Sequence, residues 1–204
     1  MPLFYQQNIN ATTRLAVWKI EETEEFFIGT VPLQRTIAHP HKRLQHLAGR
    51  YLLRFLFPDF PFHAIEIATT KKPYLPNEAY HFSISHCGDY AAAIVSSTNR
   101  VGVDVELVTE RVVKIAHKFL HEEEQKMFNS QFSIDNVQQL TLLWSCKEAM
   151  FKWWGNGEVD FSEMMRIEQF QLNQSGTIAA NFTSTPLQLN YQLFGKLCLV
   201  WVVQ

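Results

Sequence analysis

Two stretches with apolar residues at helical spacing frame this chain. They are residues 41–57, HKRLQHLAGRYLLRFLF, stopped by Pro58, and residues 137–154, stopped by Gly155-Asn156-Gly157. Each is followed by short runs rich in β-branched and aromatic residues. After the first come 64–68, 80–85, 90–96 and 101–107, with a Pro-punctuated loop at KKPYLPN and a turn at Cys87-Gly88-Asp89. After the second come 167–172, 178–182, 187–193 and 197–203. An early strand at 14–20 and a helical stretch at 111–128, broken near His121, complete the pattern. A helix followed by a sheet, twice over, predicts an α+β protein of two similar lobes, 1–107 and 108–204, each a helix packed on a small, mainly antiparallel sheet.

With 204 residues, 47% of them hydrophobic and 19% charged, the chain can bury a substantial core. A net charge of −2 argues against a nucleic-acid partner, because counterion release needs a concentrated excess of Lys and Arg. The amino terminus, MPLFYQQNINATTRL, lacks the order of a secretory leader, and no apolar run approaches bilayer length. A cytoplasmic protein without a membrane partner is the expectation. Cys87, Cys146 and Cys198 are odd in number and widely spaced, which suits neither a disulfide framework nor a paired zinc site. Packing accounts for Cys146 better than a nucleophilic role does, because its neighbours offer a more coherent chemistry.

Asp104 and Glu106 stand two apart in GVDVE, so on a strand both carboxylates leave one face while Val103 and Val105 enter the core. Alone, such a pair reads as a solvated face. A hard cation such as Mg²⁺ would relieve the repulsion between them. In LWSCKEAMFK, Glu148 and Lys152 are one helical turn apart, with Leu140, Leu143, Trp144, Met150, Phe151 and Trp154 available as a buried stripe. The bland reading is an ordinary exposed pair. The functional one makes Glu148 a third oxygen ligand or a base, and Lys152 a point charge beside a phosphate leaving group. Ser85-His86 ends a strand at Cys87-Gly88; without a nucleophile elbow, phosphate hydrogen bonding fits better than hydrolase chemistry. Lys71 and Lys72, on a loop stiffened by Pro73 and Pro76, join Arg43 and Arg50, seven apart on the first helix. Most such cations are merely solvated; together these could hold a multiply phosphorylated small molecule.

KRLQHLAGR, KKPYLP, FSISHCGDY, GVDVE and WSCKEAMFK, in this order, resemble the phosphopantetheinyl transferase superfamily, of the larger single-chain Sfp type. The resemblance spans residues 43–157 and implies a pseudo-twofold pair of lobes with coenzyme A in the cleft between them and Mg²⁺ (or Mn²⁺) on its pyrophosphate. It implies that Asp104, Glu106 and Glu148 hold the metal and that Lys152 lies near the pyrophosphate. It places Lys72, Ser85 and His86 at the adenosine and its 3′-phosphate, and Lys71 where glycine is often found. In the family's reaction the serine of an apo carrier protein attacks the β-phosphate, and adenosine 3′,5′-bisphosphate leaves. Glu148, directly or through water, is the expected base. Arg43 and Arg50 match an arginine-helix pattern seen in some members, and Arg35 is a further candidate. Residues 107–128 correspond to where carriers dock, with Arg111, Lys114 and Lys118 beside Val112, Val113 and Ile115. A monomer is implied. Two other readings stay open: another metal-dependent phosphoryl-transfer enzyme, and a non-catalytic module that binds coenzyme A or a carrier.

Overall fold

A computed structural model describes residues 2–32, 36–129 and 137–204 of the chain. Arg35 therefore lies outside the described residues. Packing divides the chain into two compact units, Met1–Val103 and Asp104–Gln204. The architecture is α+β, with helices and antiparallel sheets in both units.

The first unit contains β1 (Leu3–Asn8), β2 (Thr13–Lys19), α1 (Glu24–Ile28), α2 (Pro40–Leu56), the short strands β3 (Glu66–Ile67) and β4 (Pro73–Tyr74), then β5 (His81–Cys87) and β6 (Tyr90–Ser96). Its main sheet runs β1-β2-β6-β5, every neighbour antiparallel, and β3 pairs with β4. Pro40 opens α2, where a missing N–H costs nothing. The helix buries Leu47, Ala48, Leu52 and Leu53 against β6, β2 and β5. Burial of a leucine of this kind stabilises by about 1.5–3 kcal/mol. Gly49 is what lets α2 sit this low, since a Cβ there would lie 2.5 Å from Ile84 Cγ2. Gly88, at φ +54°, opens the two-residue turn from β5 to β6. Its carbonyl accepts from Gln45 Nε2 at 2.8 Å and lies 3.1 Å from His41 Nε2, tying the start of α2 to the hairpin.

β7 (Val101–Leu107) crosses the boundary between the units. The second unit continues with α3 (Arg111–Phe119), α4 (Glu122–Asn129), α5 (Val137–Trp154), β8 (Met165–Ile167), β9 (Ser175–Phe182), β10 (Thr185–Phe194) and β11 (Leu197–Val203). Its sheet is ordered β7-β11-β10-β9-β8, with β11, β10, β9 and β8 joined antiparallel. α5 packs on β11 and α3. It is buried nearly all round: Leu140, Leu142, Leu143, Cys146, Ala149, Met150 and Trp153 all enter the core, whereas Trp144, Phe151 and Trp154 are half-buried at its margin. The single stripe expected from the sequence thus understates how much of this helix is enclosed. The break near His121 separates α3 from α4. The His121 backbone N–H donates to Glu124 at 2.8 Å and its ring Nδ1 accepts from Glu123 N–H, a reciprocal cap that starts α4.

Two further expectations differ. The strand expected at 167–172 is β8 at Met165–Ile167, and Phe170 and Leu172 reach the core from the loop beyond it. The run at 64–68 narrows to β3, preceded by a 3-10 turn at Phe62–Ala64. Among the described residues, no helix is long and apolar enough to cross a membrane.

Candidate active site

In the second unit, α5 lies over the acidic end of β7. Alternation along β7 sends Val103 and Val105 into the core and leaves Asp104 and Glu106 on the other face, as their spacing predicts. Asp104 is not a solvated side chain: only 2% of it is exposed. Lys152 Nζ donates to its Oδ1 at 2.6 Å, and Ser145 Oγ donates to its Oδ2 at 2.7 Å. Trp144 Nε1 donates to Glu106 Oε1 at 3.4 Å. Trp144, Glu148 and Lys152 recur every four residues, so one side of α5 faces both acids.

Glu148 is half-buried, and burial is the main reason its carboxyl is pushed up to about 7, with the charges of Asp104 and Glu106 adding to the rise and Lys152 opposing it. A group poised there can accept a proton near neutral pH, which an ordinary glutamate does poorly. Among the described residues, no three His, Cys, Asp or Glu side chains converge as a preformed metal cage. The three acids are instead an oxygen-only set, two of whose members raise the proton affinity of the third. That chemistry fits a hard divalent cation such as Mg²⁺, which takes few protein carboxylates and completes its shell with water and phosphate oxygens.

The cations expected to bind phosphate lie in the first unit and differ in how far they are already committed. Arg43 is fully engaged: its Nε and Nη2 grip Glu24 at 2.8 and 2.7 Å, and Nη1 donates to the Ile37 carbonyl at 2.7 Å. Arg50 is buried in α2. Lys71 is exposed and holds φ +67°, a left-handed conformation that glycine adopts more easily. Lys72 is partly buried, and burial followed by the charge of Arg100 pulls its ammonium down to about 8. A cation held down in this way gains most from an anionic ligand. Ser85 and His86 end the edge strand β5 but point to opposite faces, Ser85 buried and His86 exposed. On α3, Arg111, Lys114 and Lys118 are exposed around Val113, whereas Val112 is buried and Ile115 packs against the core.

The roles of four residues escaped the sequence reading. Arg100, beside Lys72, carried no motif. Ser145 and Trp144 acquire their roles only through contact with β7. Lys147 is wholly buried, and its three Nζ protons are shared among four acceptors: Glu124 and the Phe119 carbonyl, both at 2.6 Å, and the carbonyls of Phe161 and Met165 at 3.0 and 3.1 Å. Its signal was present: Leu140, Leu143, Lys147 and Met150 fall on one helical stripe, and a lysine inside such a stripe requires a buried partner.

The family model described as the 4'-phosphopantetheinyl transferase superfamily matches residues 100–199. Over 77 residues the chain is 35% identical to the 4'-phosphopantetheinyl transferase gsp of Aneurinibacillus migulanus, covering 38% of this chain and 32% of that protein. Over 149 residues it is 29% identical to the 4'-phosphopantetheinyl transferase ffp of Bacillus subtilis, covering 67% and 65%. Over 114 residues it is 30% identical to enterobactin synthase component D of Escherichia coli O157:H7, covering 54% of each. The chain thus spans between 32% and 65% of the length of these relatives. Residues 100–199, the segment similar to the 4'-phosphopantetheinyl transferase superfamily, contain β7 and α5 together with the acids and lysine they carry.

Proposed function

We propose that this chain transfers the phosphopantetheine arm of coenzyme A to a serine of an apo carrier protein, releasing adenosine 3′,5′-bisphosphate. The observation that carries the reading is the α5–β7 cluster: a buried aspartate clamped by Lys152 and Ser145, beside a glutamate held near 7, inside the segment that matches the family. Asp104, Glu106 and Glu148 would hold Mg²⁺ (or Mn²⁺), which when bound supplies positive charge against the pyrophosphate. Glu148, directly or through a water, takes the proton of the carrier serine as its oxygen bonds to the β-phosphorus. The bond from that phosphorus to the bridging oxygen breaks, and Lys152 offsets the charge left on the departing phosphate.

In the first unit, Lys72 with Ser85 and His86 would hold the nucleotide end, Lys72 regaining full protonation against the 3′-phosphate. Arg50 and Lys71 are secondary candidates, and Arg43, already spent on Glu24, is the weakest. The exposed Arg111, Lys114 and Lys118 around Val113 would receive an acidic carrier helix. The two units would be the similar lobes of the family's pseudo-twofold fold, each a long helix on an antiparallel sheet, with their division near residues 103–107. A monomeric, cytoplasmic enzyme without nucleic-acid or membrane partners completes the proposal, in keeping with a net charge of −2.

The test is to incubate the protein with coenzyme A, Mg²⁺ and a panel of apo carriers and to weigh the carriers by mass spectrometry. The expected result is a gain of one phosphopantetheine on the carrier serine, lost in Asp104→Ala. Cleavage of coenzyme A without transfer would favour a different phosphoryl-transfer enzyme, and binding without turnover a silent module.

A further inference from the structure

One helix holds Asp104 from two sides. Ser145 Oγ donates to Oδ2 at 2.7 Å and Lys152 Nζ to Oδ1 at 2.6 Å, from positions seven apart on α5 that share a face. Ser145 is wholly buried, whereas 24% of the Lys152 side chain is exposed. Oδ2 is therefore turned into the protein and Oδ1 toward the accessible end of the pair. The direction of the serine bond is unambiguous. An ionised carboxylate only accepts, and a serine hydroxyl has a single proton to give. That proton goes to β7 rather than back to the carbonyl one turn earlier, the usual recourse of a serine inside a helix. The preceding residue, Trp144, donates to Glu106 at 3.4 Å, so adjacent positions of α5 address both acids of β7.

We propose that Ser145 is a positioning residue for Asp104: its hydroxyl fixes the plane of the carboxylate so that Oδ1, held by Lys152 in this structure, is the oxygen a divalent cation would share. The role rests on the metal reading of the proposed function and deepens it. A carboxylate free to rotate loses that freedom on ligating a cation, and one already pinned through its other oxygen does not. Hydrogen-bonding partners of ligating carboxylates are commonly worth about 10–100-fold in metal affinity. Ser145 meets no substrate in this scheme and acts only through Asp104.

The experiment titrates the purified full chain with Mn²⁺, without coenzyme A or carrier, and follows the electron-paramagnetic-resonance signal of free Mn²⁺. Wild type, Ser145→Ala and Ser145→Cys are compared, with circular dichroism and thermal unfolding run on each. Cysteine fills the space but is a weak donor, so it separates the hydrogen bond from packing and carries the test if the alanine variant does not fold. Both variants are expected to bind Mn²⁺ about 10–100-fold more weakly than wild type. Wild-type affinity in Ser145→Cys overturns the positioning role and leaves the metal site standing. Absence of Mn²⁺ binding by the wild type overturns the metal reading and this role with it.

Discussion

Lys147→Met should cost the second unit a large part of its stability, by an amount that depends on pH. The lysine and its partner Glu124 have side-chain exposures of 0% and 2%. Removing the ammonium leaves Glu124 with the N–H groups of His121 and Ile167 as its remaining described donors, both at 2.8 Å. An uncompensated buried carboxylate escapes by taking up a proton. At pH 7, against an ordinary glutamate value of about 4.3, that costs ~3.7 kcal/mol at 1.36 kcal/mol per unit. The figure falls within the ~3–5 kcal/mol typical of breaking a buried pair from one side. It is a large share of the ~5–15 kcal/mol that holds a domain folded. In the variant the unfolded chain alone releases that proton, so the penalty grows with pH above the unfolded pKa and is already large at neutral pH. It fades as pH falls toward the unfolded value. Urea unfolding followed by tryptophan fluorescence is the assay, because four of the five tryptophans, at 144, 153, 154 and 201, belong to the second unit. The double variant Lys147→Met/Glu124→Gln should recover ~2–3 kcal/mol of the loss at pH 7, since the glutamine needs no proton. A loss under ~1 kcal/mol, equal at pH 7 and pH 5 and strictly additive with Glu124→Gln, would show that the pair carries no coupling energy.

Lys71→Gly should raise stability by ~0.5–1 kcal/mol by relieving the left-handed backbone at φ +67°. An unchanged urea midpoint would show that the position is unstrained. Lys72→Ala should raise KM for coenzyme A with little change in kcat and should hardly affect dephospho-coenzyme A; equal losses with both substrates would remove Lys72 from the 3′-phosphate. Because Glu148 lies near 7 in the absence of a cation, Mg²⁺ binding at pH 6.5 should release a proton. The buffer dependence of the calorimetric enthalpy reports it, and Glu148→Gln should abolish the release. Without the cation, the raised pKa of Glu148 also makes its contribution to stability fall as pH rises from the unfolded value toward about 7.

How much of this was legible in the sequence follows from the range of the interactions involved. α5 at Val137–Trp154, β6 at Tyr90–Ser96, β7 at Val101–Leu107 and β11 at Leu197–Val203 have the limits that periodicity and breakers predict, because in each the apolar period and the turn residues agree. β1 was missed because LFYQQN does not alternate: its three apolar residues are consecutive and its last three are polar, and as an edge strand it is only half-buried. β8 was misplaced because Phe170 and Leu172 imitate a strand's alternation while serving the core from a loop. Local pattern shows which residues are apolar, not which backbone delivers them.

The candidate site divides along the same line. Asp104 and Glu106 are two apart on one strand, and Glu148 and Lys152 one turn apart on one helix, so each pair was visible from spacing alone. That α5 closes over β7 was not. Asp104 and Ser145 are 41 positions apart, and only packing converts a carboxylate whose spacing alone reads as a solvated face into one that is buried, clamped through both oxygens and able to raise its neighbour's proton affinity. Lys147 marks the boundary between the two kinds of knowledge. Its place inside an apolar stripe dictates a buried acid somewhere in the chain, but nothing in the spacing selects Glu124, one of three consecutive glutamates at 122–124, over its two neighbours. The choice is made by α4. With His121 as the cap, the third helical position turns back toward the cap and into the core, while Glu122 and Glu123 remain in solvent.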